Sequence, residues 1–240
     1  MNEFLSDLEK TKKIYRDIFE KAAEAIDTQL NLLKKSSLCN HCDENCSINY
    51  NEINLFQEFP RNCMYKFWQE AALDRLNNQV SRDIYEKIQT IEALRKNYKC
   101  GRCSSCCCLA SSEFTYDELK QKAKEGDKFA AEFISVFVPY KNNKDAEKIY
   151  PDYVKAIKEK FGIDCRFYYC PKLDENGLCS DYENRPSICR DFPNNPLVAL
   201  PEKCSFKKWK DEVEVTALLL HSMIEIVGFY KEKLEKLLKK

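Results

Sequence analysis

Glycine occurs five times in the 240 residues and histidine twice. With so few glycines, no G-x-G-x-x-G fingerprint or phosphate loop is present, which argues against a nucleotide-dependent enzyme. His41 and His221 alone argue against a histidine-built catalytic centre, and no spacing pairs a nucleophile with a base. Charge imbalance is missing too. Lys+Arg and Asp+Glu both total 39, so nothing in the overall balance attracts nucleic acid or an acidic membrane surface. Apolar residues form no uninterrupted run near the roughly 18 that a membrane span requires, since VTALLLHSMIEIVGF is broken by His221, Ser222 and Glu225. The opening MNEFLSDLEK is charged and lacks the apolar stretch of an export signal. These absences lead us to expect a soluble, cytoplasmic chain with no nucleic-acid or membrane partner.

Strand-like alternation is scarce, whereas helical periodicity recurs in long blocks. Between Phe4 and Leu33, apolar residues such as Leu8, Ile14, Ile18, Ala22, Ile26 and Leu30 fall at three- and four-residue steps and predict one amphipathic helix. A second helix is predicted from Met64 to Leu94, and a third from Ser205 to the C-terminus, whose lysines alternate with leucines as on a solvated face. Shorter helices are expected between residues 113 and 162. Thr115 and Glu118 have capping-box spacing, Gly126-Asp127 marks a break, and Pro151 suits a first helical turn ending near Gly162. We therefore expect an all-α protein in which a long-helix bundle packs against a loop-rich, metal-stapled cysteine region. The expected divisions are 1–98, 99–206, and 207–240 as a C-terminal helix packed on the N-terminal ones.

What the chain has in excess is cysteine, 14 residues, all outside the predicted helices. A chain of this length needs no disulfide staples, and in a reducing compartment dense cysteines point first to metal. The stretch KCGRCSSCCCLASS overlaps two Cys-x2-Cys pairs, Cys100/Cys103 and Cys103/Cys106. That spacing lets a short loop fold around an ion and aim its N–H groups at the sulfurs, with Gly101 giving the first turn conformational latitude. Adjacent side chains point to different sides, so Cys107 and Cys108 should face another site or be spare, and a strained vicinal disulfide is disfavoured. A dithiol redox couple stays open. Cys165, Cys170, Cys179, Cys189 and Cys204 follow at wider spacing, with a turn at Asp174 to Gly177.

The string Cys100-x2-Cys103-x2-Cys106-Cys107, then Cys170-Pro-Lys-Leu, Gly177-Leu-Cys179-Ser-Asp-Tyr182 and Arg185-Pro186-Ser-Ile-Cys189-Arg190-Asp-Phe-Pro193, resembles the YkgJ-like cysteine-cluster family. That family is described as a zinc- or iron-chelating domain, and a flagellin lysine methylase is an outlying relative. The resemblance spans about 99–206. It implies metal ligation by Cys100, Cys103, Cys106, Cys107, Cys170, Cys179, Cys189 and, more weakly, Cys204. The triplet departs from the pattern and leaves open whether Cys107 or Cys108 is the ligand; Cys165 is an additional thiol.

A further group, Cys39, Cys42, Cys46 and Cys63, with His41 as an alternative nitrogen donor, would complete a third four-thiolate site. Buried free thiols are the other reading. Thiolate-only ligation suits Zn2+ or an iron-sulfur cluster. Apolar and aromatic neighbours such as Phe167, Tyr168 and Tyr169 favour [4Fe-4S]. The expected function is electron transfer or metal handling, with metal ions and a protein redox partner as the partners. The alternatives are a lysine methyltransferase-like enzyme, which the outlying relative implies, and a zinc-stabilised structural adaptor. Arg185 and Arg190 could offset thiolate charge or pair with Asp181 or Asp191. His221 is expected as a core or boundary histidine or as a ligand, and Tyr182 and Phe192 as packing residues.

Overall fold

The computed structural model describes residues 2–33, 53–60, 63–161 and 165–239. Cys39, His41, Cys42 and Cys46 lie outside them. The chain divides into two compact units, one comprising 1–91 with 214–240 and the other 92–213.

Helix α1 (Asn2–Asn31) buries Ile18, Ala22, Ile26 and Leu30, one residue per turn on a single stripe. The predicted helix from residue 64 is α2 (Met64–Arg75) and α3 (Ser81–Arg95), joined without interruption by a π-helical turn, Leu76–Val80. There the Ser81 hydroxyl donates to the Leu76 carbonyl at 2.7 Å. Such a side-chain bond competes with the regular helical ladder and accompanies the wider turn. Gln69, fully buried on α2, donates to the carbonyls of Leu55 and Gln57, both at 2.8 Å, and so holds segment 53–60 to the helix. Cys63, just before α2, is buried with Ile53, Phe59 and Tyr65 in an apolar cluster.

Unit 92–213 differs from the all-α expectation. Among the described residues the fold is mostly helical, 61% helix and 6% strand, and the strands form a small antiparallel sheet of order β1-β3-β2. These are β1 (Ala110–Ser112), β2 (Val138–Pro139) and β3 (Arg166–Tyr169). Ser111 lies opposite Phe167, and Val138 opposite Tyr169. Strands this short are below the length at which period-two alternation can be read, and β3 buries two successive residues.

The central strand carries the core. Phe167 packs with Leu109, Val154, Ile157 and Cys165. Tyr168 packs with Leu119, Ala130, Phe133, Phe137 and Cys170. Successive side chains leave a strand on opposite faces, so β3 separates two apolar clusters. The helices around it have the expected ends. Before α5 (Tyr116–Lys124), the Thr115 N–H donates to Glu118 at 2.7 Å and the Glu118 N–H to the Thr115 hydroxyl at 3.3 Å. Asp127 caps α6 (Lys128–Val136), and α7 (Asn143–Glu147) leads to α8 (Pro151–Phe161), with proline in its first turn.

The last long helix, α10 (Lys207–Leu238), runs unbroken through the polar residues expected to interrupt its apolar stretch. It buries Val213, Leu220, Val227 and Leu234 at seven-residue intervals. An 18-residue window of it has a mean hydropathy of 1.4, so by length and composition the helix is long and apolar enough to cross a membrane. Core helices of globular proteins share that property, and no membrane assignment follows from it. His221 is not a core residue; it is exposed, with Nε2 3.4 Å from Glu225.

Tyr168 should be a principal contributor to the stability of unit 92–213. Its ring is fully buried edge-on to Phe133 at 5.1 Å, and its hydroxyl donates to the Phe114 carbonyl at 2.7 Å. Tyr168→Ala should cost about 3–5 kcal/mol through lost burial and a cavity, and Tyr168→Phe about 1 kcal/mol through the lost bond. Urea denaturation of both variants checks this, and equal midpoints would contradict it.

Candidate metal centre

The CGRCSSCC stretch turns sharply before it becomes helical. Arg102 and Ser104 both adopt φ 55°, the left-handed region that costs an L-residue about 1–2 kcal/mol. Gly101 does not supply the expected freedom of φ. It permits a close approach instead: a Cβ there would lie 3.3 Å from the Cβ of Ser205. The Ser205 hydroxyl donates to the Lys99 carbonyl at 2.6 Å and accepts the Gly101 N–H at 2.9 Å, joining the loop of Cys100 to the loop of Cys204. Gly177 has φ 73°, and a Cβ on it would meet the Ser104 hydroxyl at 3.3 Å. The Asp174 turn, closed by N–H donors from Asn176 and Leu178 to its carboxylate, thereby sits against the first loop.

After Ser104 the chain makes a single turn, α4 (Ser105–Cys108), which separates the adjacent thiols. Cys107 packs against the Tyr168 and Cys170 cluster, and the Cys170 N–H donates to the Cys107 carbonyl at 2.7 Å. Cys108 packs against the opposite cluster with Cys165, and its carbonyl accepts the Tyr140 hydroxyl at 2.7 Å. Cys107 therefore accompanies Cys170 on one side of β3, while Cys108 accompanies Cys165 on the other.

A cavity of about 290 Å³ collects the sulfurs. Cys100, Cys103, Cys106, Cys107, Cys170, Cys179, Cys189 and Cys204 all line it, whereas Cys108 and Cys165 do not. The eight are the residues carried over from the family pattern, drawn from a 105-residue span of sequence. The rest of the wall is largely apolar, with Phe133, Phe137, Leu200 and Phe206 among its residues. Disulfides are absent here: all the described cysteines are free.

Within the cavity the thiols influence one another in two sets. Cys204 donates a hydrogen bond to the Cys103 sulfur, holding Cys103 down at about 5 and driving Cys204 up. Cys204 also feels the charge of Cys100, and Cys106 feels those of Cys100 and Cys103. Cys107, Cys170 and Cys179 form the neighbourhood of Cys189, whose thiol burial pushes up to about 11. Burial likewise raises Cys170, reinforced by Cys107 and Cys179. The sets are not separate: Cys106 donates to Cys107 and lowers it, and the charge of Cys103 also acts on Cys107. Among the described residues, no group of three or more Cys, His, Asp or Glu side chains stands in a ligand arrangement around one point. Two thiol pairs, Cys103 with Cys204 and Cys106 with Cys107, are instead hydrogen-bonded to one another.

Basic residues are placed beside the Cys107 set. The Arg185 charge adds to the lowering of Cys107 by Cys106 and partly opposes the rise that burial gives Cys189, and its Nε donates to the Tyr182 carbonyl at 2.8 Å. The Arg185 and Arg102 guanidinium carbons lie 3.5 and 3.8 Å from the centroid of the Tyr182 ring. Asp181, one of the two partners considered for the arginines, pairs with Lys172 at 2.6 Å. Arg190 acts on Glu132 through its charge. Phe192 lines the cavity.

Three further residues position the centre without any motif in the sequence: Ser205, Glu132 and Arg95. Glu132 accepts the Ser187 hydroxyl at 2.5 Å and the Ile188 N–H at 3.2 Å, holding the start of α9 (Ser187–Arg190), which carries Cys189. Their partners are 55 to 106 residues away, so no local spacing announces them.

The chain was compared with known proteins. The family model CxxCxxCC, described as "Putative zinc- or iron-chelating domain", matches residues 99–212. No curated protein and no solved structure matches the chain. The donor set fits that description, because eight thiols with no oxygen or nitrogen donor among them suit a soft-ligand site for zinc or iron. Cys107→Ser should lower the metal content of the purified chain, whereas Cys108→Ser should leave it at the parent value. Elemental analysis of the two variants decides, and a loss confined to Cys108→Ser would reverse the assignment.

Proposed function

Residues 99–212 match the zinc- or iron-chelating CxxCxxCC family model, and from that match we propose a two-site thiolate centre serving electron transfer or metal handling. Cys100, Cys103, Cys106 and Cys204 would hold one metal unit, and Cys107, Cys170, Cys179 and Cys189 the other. One observation carries this reading: the eight family-type cysteines line one cavity, and the two outside the pattern do not.

A [4Fe-4S] cluster is the first choice for each set. When bound, such a cluster supplies a one-electron store, and the protein tunes its potential through charge, hydrogen bonds and solvent access. This chain's residues fit those tasks. Phe133, Phe137 and Phe206 keep water from the sulfurs, and Arg185 offsets thiolate charge on the Cys107 side. Zn2+ is the second reading, favoured by the even four-and-four division. A closed four-thiolate zinc site would make the domain a structural adaptor. In either case the ligands must be deprotonated, so binding releases the protons that the sulfur pairs share.

Anaerobic purification followed by elemental analysis and an absorption spectrum tests the proposal. Brown protein with broad sulfur-to-iron charge-transfer absorbance is expected. Colourless protein with stoichiometric zinc would replace iron by zinc, and protein free of both would sink the centre. Cys103→Ser should lose metal from one set and lower the melting temperature, because metal-binding free energy is folding free energy at such a site. An unchanged melt and metal content would remove Cys103 from the ligands.

A further inference from the structure

We infer that Arg95, which precedes the family segment, is the positioning residue that fixes the separation of the Cys189 and Cys204 arms; the inference rests on the metal centre proposed above. Its Nε donates to the Pro193 carbonyl at 2.6 Å, and its Nη2 to the carbonyls of Arg190 at 3.1 Å and Phe192 at 3.2 Å. Its guanidinium carbon lies 5.0 Å from the centroid of the buried Phe206 ring. One planar group thus binds three carbonyls immediately after Cys189 and an aromatic ring two residues after Cys204.

The arm needs such a clamp because α9 is four residues long, and a single helical turn is not stable alone. Its N-cap position is Pro186, which provides no side-chain cap. Glu132 supplies acceptors at the N-terminal end, and Arg95 satisfies the Arg190 carbonyl at the C-terminal end. Cys189 sits between these two holds. Cys189 and Cys204 fall in different four-thiol sets, so the clamp sets how far apart the two sets stand. Lysine cannot substitute, because a single ammonium lacks the fork that reaches three carbonyls and the plane that lies on a ring.

Outer groups that orient metal ligands typically carry a 10–100-fold effect on affinity. The test uses the chain as purified with its metal and follows metal release to a chromophoric chelator, below the melting temperature of every variant. Arg95→Met and Arg95→Lys should each release metal about 10–100-fold faster than the parent while binding the same amount at saturation. Arg75→Met is the control, since Arg75 donates to the Gln29 carbonyl at 3.1 Å within the other unit; it should release metal at the parent rate. If Arg95→Met does not fold, Arg95→Lys, which keeps the charge and stem, is read alone. Parent-like release from the Arg95 variants overturns the inference, as does equal acceleration by Arg75→Met, which would reveal general destabilisation. A parent chain that holds no metal instead removes the proposed centre, and the clamp with it.

Discussion

Sulfurs from distant parts of a chain can share a metal only where the backbones bearing them are brought together, and anchoring those backbones lowers the loop-ordering entropy that metal binding has to offset. Here the anchors are hydrogen bonds of long sequence reach. Ser205 bridges to Lys99 and Gly101, Cys170 donates to the Cys107 carbonyl, and Arg95 holds Arg190, Phe192 and Pro193. Each bond falls within two residues of a cysteine or in the arm that follows one. The left-handed turns at Arg102 and Ser104 are tolerated within this frame, since the loop they shape is fixed at both ends.

The short sheet then decides which thiols can participate. A strand sends successive residues to opposite faces, and β3 has Cys165 just before it and Cys170 just after it. Five positions apart, those residues differ in parity and enter different clusters. The turn α4 repeats the division at Cys107 and Cys108. Cys106 and Cys107 line the cavity, and Cys108 packs instead against the apolar cluster where Cys165 lies.

Much of this was legible in the sequence, for identifiable reasons. Stripes on α1, α2, α3 and α10 and the Thr115 capping box are local patterns, and they appeared within a residue or two of their expected places. The grouping of Cys100, Cys103 and Cys106 followed from Cys-x2-Cys spacing, and that of the other five was implied by the resemblance to the YkgJ-like family. The sheet did not, because β1, β2 and β3 are defined by partners dozens of residues away. Gly101 was assigned a conformational role when its actual role is to admit Ser205, a contact across 104 residues. Arg95, Glu132 and Ser205 carry no chemical signature; their importance comes from what the fold places beside them.

Charge explains why the two sets are not equivalent. A four-thiolate set around a divalent ion retains net negative charge, and burying that charge is costly unless cations or donors face it. The Cys107 set has Arg185 against Cys107 and Cys189, and Lys172 against Cys170. For Cys103 and Cys204, the main influences are each other, the Ser105 and backbone donors, and Cys100. The hydrogen bond from Cys204 lowers Cys103, and a metal held by both sulfurs would have to displace that proton. On the Cys107 side the guanidinium of Arg185 shares that burden. Under the proposed division, the two sets would carry the same donor atoms but face different charges, with Arg185 and Lys172 set against the Cys107 side.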